Sequence, residues 1–437
     1  QSNYVGMLVR VAAQLVAQIA IMRMLGPEQV GTFGYVLLLH GVLALIVDQG
    51  FGWSLIQGDF ERDEVAVAFT RLMVAGATAS ALVFVSSYPI SRWLDNSLAG
   101  DVIRWSAPAY LLIGLYAISH AKLRRDLRFR EVQYATNGAY VIAYPGVGLA
   151  AAWAGFGIWS LLAAWYCQGL LQVLIGHRYA THSLRMTSPV RACQAGPLGR
   201  QVAGINVLNW TVDNSSGVVV GMMGAQFLGT YNAASVLARQ PALQLVQTLQ
   251  GLLFSTASAI NDDQAKLRKL YLASLALVAS LVGPLYGYFF ARAELLVCLV
   301  FGQDWLAAGI VLGALSLGMI AMAMSTVTSS ILTANGGQQD VILTQAACLI
   351  VLVSGLIWTA GHSVEAVAWV VSAAYATRFC WQVASVVRSG VVSWTDIGLA
   401  LRGPLLLSLV AALPLAQWVG PASSRWLAEF LSLTLLV

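Results

Sequence analysis

The sequence predicts an all-α polytopic membrane protein of about 14 transmembrane helices, arranged as two pseudo-symmetric six-helix lobes followed by two further helices. Three observations predict it. Hydrophobic residues make up 58% of 437 positions and charged residues only 10%, well below the roughly 25% charged of an ordinary soluble domain. The apolar residues fall in runs of the roughly 20 residues that a helix needs to cross a bilayer core about 30 Å thick, not in the short alternating segments of a membrane barrel. Finally, the phrase Leu25-Gly26-Pro27-Glu28-Gln29-Val30-Gly31-Thr32-Phe33 returns 198 residues later as Met223-Gly224-Ala225-Gln226-Phe227-Leu228-Gly229-Thr230-Tyr231.

The crossings follow in order along the chain. The first, 4–24, is too long and too polar inside, with Arg10, Gln14 and Gln18, to be a cleavable signal peptide. The second, 32–56, follows the first copy of the repeated phrase, and 65–90 follows Arg62. Next come 103–121, then 132–153 after the basic cluster Lys122, Arg124, Arg125, Arg128 and Arg130, then 158–177. Arg178, Arg185, Arg191 and Arg200 precede 200–223, and the second copy of the phrase leads into 229–258. Lys266, Arg268 and Lys269 open 268–290; 306–333, 340–359 and 365–387 complete the second set; Arg388 precedes 397–418, and 423–437 closes the chain. The last segment is only about 22 Å long at 1.5 Å per residue and the chain begins at Gln1, so both ends are expected to be trimmed. Basic residues cluster before the odd-numbered crossings, whereas the opposite side offers Arg23, Arg92, Arg104, Arg292 and Arg425. Positive charge stays cytoplasmic, which predicts that both termini are cytoplasmic. Trp93, Trp105, Trp153, Trp159, Trp305, Trp358, Trp369, Trp418 and Trp426 fall by the outer loops, where indole suits the interface.

The repeat extends past its opening phrase: Asp63-Glu64 corresponds to Asp263-Gln264, and Glu131-Val132 to Asp340-Val341. An even number of crossings per copy relates the halves by an axis along the membrane normal. The expected division is 1–190, 191–392 and a pair of extra helices in 393–437. The net charge of +5 is explained by topology, and no basic, aromatic-laced soluble domain exists to hold a nucleic acid. Cys167, Cys193, Cys298, Cys348 and Cys380 form no CxxC pair, and the five histidines form no cluster, so neither a disulfide nor a metal or other cofactor is implied. His40, His120 and His362 stand alone and read as packed or solvated side chains.

Several motifs together resemble a known family. They are Leu25-Gly26-Pro27-Glu28 with Gly31; the run Asp48-Gln49-Gly50-Phe51-Gly52-Trp53; Leu208-Asn209, Asp213-Asn214 and Gly221; Leu228-Gly229-Thr230-Tyr231 with Arg239 and Pro241; and Phe301-Gly302-Gln303-Asp304-Trp305. In this order the chain resembles the polysaccharide-repeat-unit flippases, the Wzx-type members of the multidrug/oligosaccharidyl-lipid/polysaccharide exporter superfamily. The resemblance implies two six-helix lobes in a V and alternating access. It also implies transfer of undecaprenyl-pyrophosphate-linked oligosaccharide from the cytoplasmic to the periplasmic leaflet, with membrane lipid and polysaccharide polymerase machinery as partners and a proton or sodium gradient as driving force.

Charges inside the apolar runs are the candidates for chemistry, because an ionised side chain at bilayer depth costs at least about 2.5–3.5 kcal/mol unless it faces a cavity or a partner. Arg10, Asp48 and Arg71 lie within about 9–12 Å of the inner ends of their helices and form one layer. Asp213 and Arg239 share a depth about 15 Å below the outer ends of theirs, and Arg378 is near the middle of its run. Two readings stand. Asp48 with Arg10 or Arg71, and Asp213 with Arg239, are pairs that neutralise their own burial; or arginine is left in excess to grip a pyrophosphate through its planar fork. Arg71 also has the option of reaching the inner interface along its aliphatic stem. Asp48 and Asp213 are the candidates for gating and ion coupling, Asp213 as a latch against Arg239. Gln240, Gln244 and Gln247 share a helix face, and with Gln14 and Asn209 they offer amide partners to sugar hydroxyls. Pro241 removes a backbone donor beside Arg239 and is expected to bend that helix. The basic turn 122–130 is a second candidate for gathering anionic substrate, although topology alone explains it.

Competing functions are weaker on the same residues. A drug/cation antiporter would favour acids and aromatics over arginines in its cavity. A membrane-embedded polymerase or ligase would need a catalytic acid or base in a substantial loop, and the outer loops are about a dozen residues or fewer; no enzymatic activity is expected.

Overall fold

The computed structural model describes residues 2–48, 62–181, 185–187, 197–260, 263–359 and 361–413, and every regular element among them is helical. The elements are α1 (Ser2–Asp48), α2 (Arg62–Trp93), α3 (Ser97–Ser106), α4 (Ala109–Arg125), α5 (129–153), α6 (Trp159–Tyr179), α7 (Pro197–Met223), α8 (Ala225–Ala259), α9 (Gln264–Ala291), α10 (Ala293–Phe301), α11 (Ala307–Ala334), α12 (Gln338–Thr359), α13 (Val364–Arg388) and α14 (Trp394–Ala412). Seven helical stretches among the described residues are long and apolar enough to cross a membrane. α7, α8 and α13, which carry Asp213, Arg239 and Arg378, are not among the seven. The expected segment 423–437 lies outside the described residues.

Three boundaries depart from expectation for local reasons. The run expected at 103–121 is one apolar span, Ser97–Arg125, divided into two helices by a turn at Ala107 and Pro108, because Pro108 cannot donate to the turn before it. The expected outer loop before 306 holds a further helix, α10, which ends at Gly302 with φ 99°. α5 contains two π-helical stretches, Tyr134–Gly138 and Ile142–Gly148, the second around Pro145. Of the tryptophans placed at the outer interface, Trp93, Trp105, Trp153, Trp358 and Trp369 are exposed. Trp305 is not: it is fully buried against Phe301, with ring centroids 5.5 Å apart, and belongs to the core.

The chain divides into two compact units, 1–229 and 230–437. In the first, α2 packs on α3 and α4, α4 on α6, and α1 on α7. Small residues set the spacing: a Cβ at Gly114 would come within 2.9 Å of the Leu72 carbonyl, and one at Gly76 within 3.0 Å of the Tyr110 carbonyl. In the second, α11 lies at the centre, packed on α9 and α13, and most of its residues are buried. Its hydroxyls bond back along the helix, Ser316 to Leu312, Thr328 to Met324 and Thr333 to Ser329 at 2.7–2.9 Å. That satisfies them where no water is available. Between helices, buried Gln382 accepts from Ser325 at 2.7 Å and donates to Thr344 at 3.4 Å, which joins α11, α12 and α13 through one amide.

α14 falls beyond the repeat in sequence, yet it is held firmly to α9. Gly283 and Gly287, one turn apart, meet Ser408: a Cβ at either would lie 2.2 Å from its Oγ or 2.7 Å from its carbonyl. This is the small-residue spacing by which membrane helices bring their backbones together. Arg268 and Asp396, 2.5 Å apart, tie the same two helices at their starts. Replacing Gly287 by leucine forces α9 and α14 apart. The expected cost is about 1–3 kcal/mol, read as a lower melting temperature in detergent, with Gly398→Leu, which has open space, as the silent comparison.

Candidate functional site

The two copies of the repeated phrase form the same local structure. Each has a glycine in a backbone region that favours glycine, Gly26 at φ 75° and Gly224 at φ 130°, and a helical segment follows it directly. Five residues on, Gly31 and Gly229 meet. A Cβ on Gly31 would lie 1.7 Å from the Ala225 carbonyl oxygen, and one on Gly229 would lie 1.9 Å from that of Pro27. Ala225 stands in the second copy where Pro27 stands in the first, so the contact is reciprocal, as across a local two-fold axis. No side chain other than hydrogen fits either position. Close by, the Tyr35 hydroxyl donates to the Gly221 carbonyl at 2.8 Å, which anchors the second half of α1 to α7.

The candidate residues of the first unit divide into described and undescribed. The side chains of Arg10, Gln14, Asp48 and Asn209 fall outside the described residues. Arg71 is half-buried on α2. Its neighbour Thr70 is buried, donates to the Ala66 carbonyl at 2.8 Å and accepts the Thr187 amide at 2.7 Å, so residues 185–187 cross α2 at this level. Asp213 on α7 is exposed, and Asn214 donates to the Trp210 carbonyl at 3.0 Å. His40 is packed, as one of the two readings had it, at 5.1 Å from the Trp165 ring and 5.8 Å from that of Tyr110.

In the second unit, α8 runs through Pro241 as one helix, and Arg239 is half-buried beside it. Gln240 and Gln244 are exposed, whereas the Gln247 side chain is not described. A residue that the sequence did not single out fixes this stretch: the buried Tyr286 of α9 donates its hydroxyl to the Ala238 carbonyl and accepts the Ala242 amide at 3.0 Å. In an unbroken helix those two backbone groups would bond each other, so Tyr286 stands in the ladder one residue from both Arg239 and Pro241. Ala238 and Ala242 are wholly buried and small enough to admit the ring. Arg378 is half-buried on α13, one turn before Gln382.

The basic turn 122–130 has a structural role that the sequence did not reveal. Lys122 donates to the Thr181 carbonyl at 2.9 Å, Arg128 to the Tyr179 carbonyl at 2.8 Å, and Ser119 to the Ala180 carbonyl at 3.4 Å. Cations at the end of α6 satisfy its last carbonyls and oppose its dipole. Arg128 also pairs with Glu131 at 3.1 Å, and the Glu131 carboxyl is held below the usual range by its own backbone amide and then by Arg128.

Comparison with known proteins adds the family. Residues 20–310 match the family described as polysaccharide biosynthesis protein, well over half of the chain. The chain belongs to the polysaccharide biosynthesis protein family. Within it, the chain is 28% identical to the succinoglycan biosynthesis transport protein ExoT of Rhizobium meliloti over 68% of this chain and 60% of that one. It is 22% identical to the teichuronic acid biosynthesis protein TuaB of Bacillus subtilis over 67% and 61%. It is 21% identical to the lipopolysaccharide biosynthesis protein WzxC of Escherichia coli over 67% and 60%. The chain thus spans about three-fifths of the length of these curated relatives. Its fold is that of the lipid II flippase MurJ in an inward closed conformation, with a TM-score of 0.71 over 98% of this chain and 97% of that one at 11% identity. An inward-facing multidrug resistance MATE transporter gives 0.62 over 88% and 99% at 12% identity. This member of the family is therefore a multi-pass membrane protein of the MurJ and MATE fold.

Tyr286→Phe leaves the Ala238 carbonyl and Ala242 amide without their shared partner. The expected loss is about 1–3 kcal/mol, read by thermal unfolding.

Proposed function

We propose that this family member moves a lipid-linked glycan across the bacterial inner membrane, exposing its binding site alternately to the two leaflets. The proposed cargo is an undecaprenyl-pyrophosphate-linked oligosaccharide, taken from the cytoplasmic leaflet and delivered to polymerase machinery in the periplasm. In this reading the chain makes and breaks no covalent bond, a proton or sodium gradient drives the cycle, and both termini are cytoplasmic, in keeping with the placement of lysine and arginine.

The observation that carries the reading is family membership combined with half-buried arginines on long helices, Arg71 on α2, which is apolar enough to cross a membrane, Arg239 on α8 and Arg378 on α13. A diphosphate needs several charge-assisted donors held out of bulk water, and arginine supplies them in pairs without losing its charge. The exposed amides of Gln240 and Gln244, one turn apart beside Arg239, suit the sugar hydroxyls that follow the diphosphate. An antiporter of organic cations would be repelled by the same guanidinium groups.

Purified protein in liposomes, supplied with a fluorescent lipid-linked oligosaccharide, tests the proposal. Transfer between leaflets without covalent change is the expected result. Arg71→Ala, Arg239→Ala and Arg10→Ala are each expected to reduce the initial rate by tenfold or more, since one charge-assisted hydrogen bond contributes about 1.5–3 kcal/mol. Wild-type rates in all three variants would rule out the arginine sites, and a covalently altered lipid would rule out a flippase.

A further inference from the structure

We propose that the second unit carries a separate pocket for a neutral sugar residue of the glycan, at the end of the unit remote from its basic turns; the choice of a sugar over other small polyols rests on the transport reading above. The pocket lies where α9 ends and α11 and α13 begin, a cavity of ≈ 450 Å³ lined by Phe290, Arg292, Glu294, Gly313, Glu365 and Trp369 among others. α9 begins beside Lys266 and Arg268 and runs 28 residues before reaching it, a distance of roughly 42 Å. The charge asymmetry of the loops assigns this end to the periplasm. Its volume is within the roughly 300–1,000 Å³ of small-molecule sites.

The lining has the chemistry of a sugar site. A pyranose ring has an apolar face of C–H groups and a rim of hydroxyls, so it needs an aromatic plate and polar groups at the plate's edge. Trp369 and Phe290 are 42% and 45% exposed, and both line the cavity beside Arg292, Glu294 and Glu365. The Trp369 ring is held in place by the Glu365 carboxylate, which accepts its indole N–H at 3.3 Å one turn earlier on α13. Glu365 is itself fixed in the first turn of that helix, where the Ser363 hydroxyl accepts the Ala366 amide at 3.1 Å. Across the cavity, Glu294 is held against α11, because a Cβ at Gly309 would come within 2.6 Å of its Cα. Two carboxylates accept from hydroxyls and the guanidinium of Arg292 donates to them.

Charge selects among sugars. Glu294 and Glu365 outnumber Arg292, so the pocket repels uronates and phosphates and favours neutral or amino sugars. This is the reverse of the arginine positions proposed for the diphosphate, so the pocket reads a different part of the cargo. Gly313 leaves the space: a Cβ there meets nothing nearer than 3.7 Å, and a longer side chain extends into the cavity.

The test uses the whole protein in lipid nanodiscs and an array of soluble, lipid-free oligosaccharides built from neutral hexoses, N-acetylhexosamines or uronates. Saturable retention of neutral members and none of the uronates is expected. Trp369→Ala and Glu365→Gln should each weaken it at least tenfold, Gly313→Leu should abolish it, and Trp394→Phe should leave it unchanged, with melting temperatures recorded for every variant. The proposal is overturned if the wild type retains no sugar, if uronates are preferred, if the three pocket variants bind normally, or if Glu365→Gln instead removes binding of calcium or sodium measured on the same nanodiscs. Lipid transfer in liposomes separates this from the transport reading: intact transfer without sugar retention sinks the pocket alone, and retention without transfer sinks the flippase alone.

Discussion

Inside a bilayer no water is available to a broken helix, and every backbone amide or carbonyl that loses its partner must find another within the protein. Many of the polar contacts in this chain answer to that constraint. Tyr286 bonds both the Ala238 carbonyl and the Ala242 amide, on either side of the proline that α8 runs through. At the exposed end of α6, where water is at hand, Lys122, Ser119 and Arg128 take up its last carbonyls instead. Hydroxyls along α11 return to their own helix, and one buried glutamine joins three helices. The polar groups thus placed also set where charged side chains can stand: Arg239 adjoins the Tyr286 contact, and Arg71 adjoins the Thr70 contact with residue 187.

The all-helical membrane class was legible in composition and run length, and most helix positions fell within a few residues of their apolar runs. The repeated phrase was legible as a repeat, and its two copies do share a glycine-started helical segment. What could not be read was which residues of the repeat touch, because the Gly31 and Gly229 contact depends on how two distant segments cross. Tyr286 gave no signal, since one tyrosine in an apolar helix looks like any other core aromatic. Trp305 misled for the opposite reason: its place beside an expected outer loop suggests an interfacial indole, but α10 folds the loop back and buries it. The spacing of Gly283 and Gly287 was a readable signal for close helix contact, and it identifies the partner only once Ser408 is seen opposite. The basic turn carried two meanings in one set of residues, topology and helix capping, and sequence exposes only the first.

Two chemistries are kept apart in the molecule. In the second unit, the half-buried Arg239 and Arg378 are the proposed contacts for an anion, and the pocket where α9 ends and α11 and α13 begin, with Glu294 and Glu365 in its lining, is the one proposed for a neutral sugar. A cargo made of a charged diphosphate joined to uncharged sugars has the matching polarity along its length. Each set of residues answers to its own substitution.

The reciprocal contact of Gly31 with Ala225 and of Gly229 with Pro27 has an evolutionary reading. If both phrases descend from one ancestral segment, a single glycine codon once supplied both sides of the crossing, in a pair of identical chains. Any replacement would then have struck the contact twice at once. On that reading, fusion into one chain would make the two sides separate loci, free to differ as Pro27 and Ala225 do, while the room between the two backbones still admits only glycine at Gly31 and Gly229.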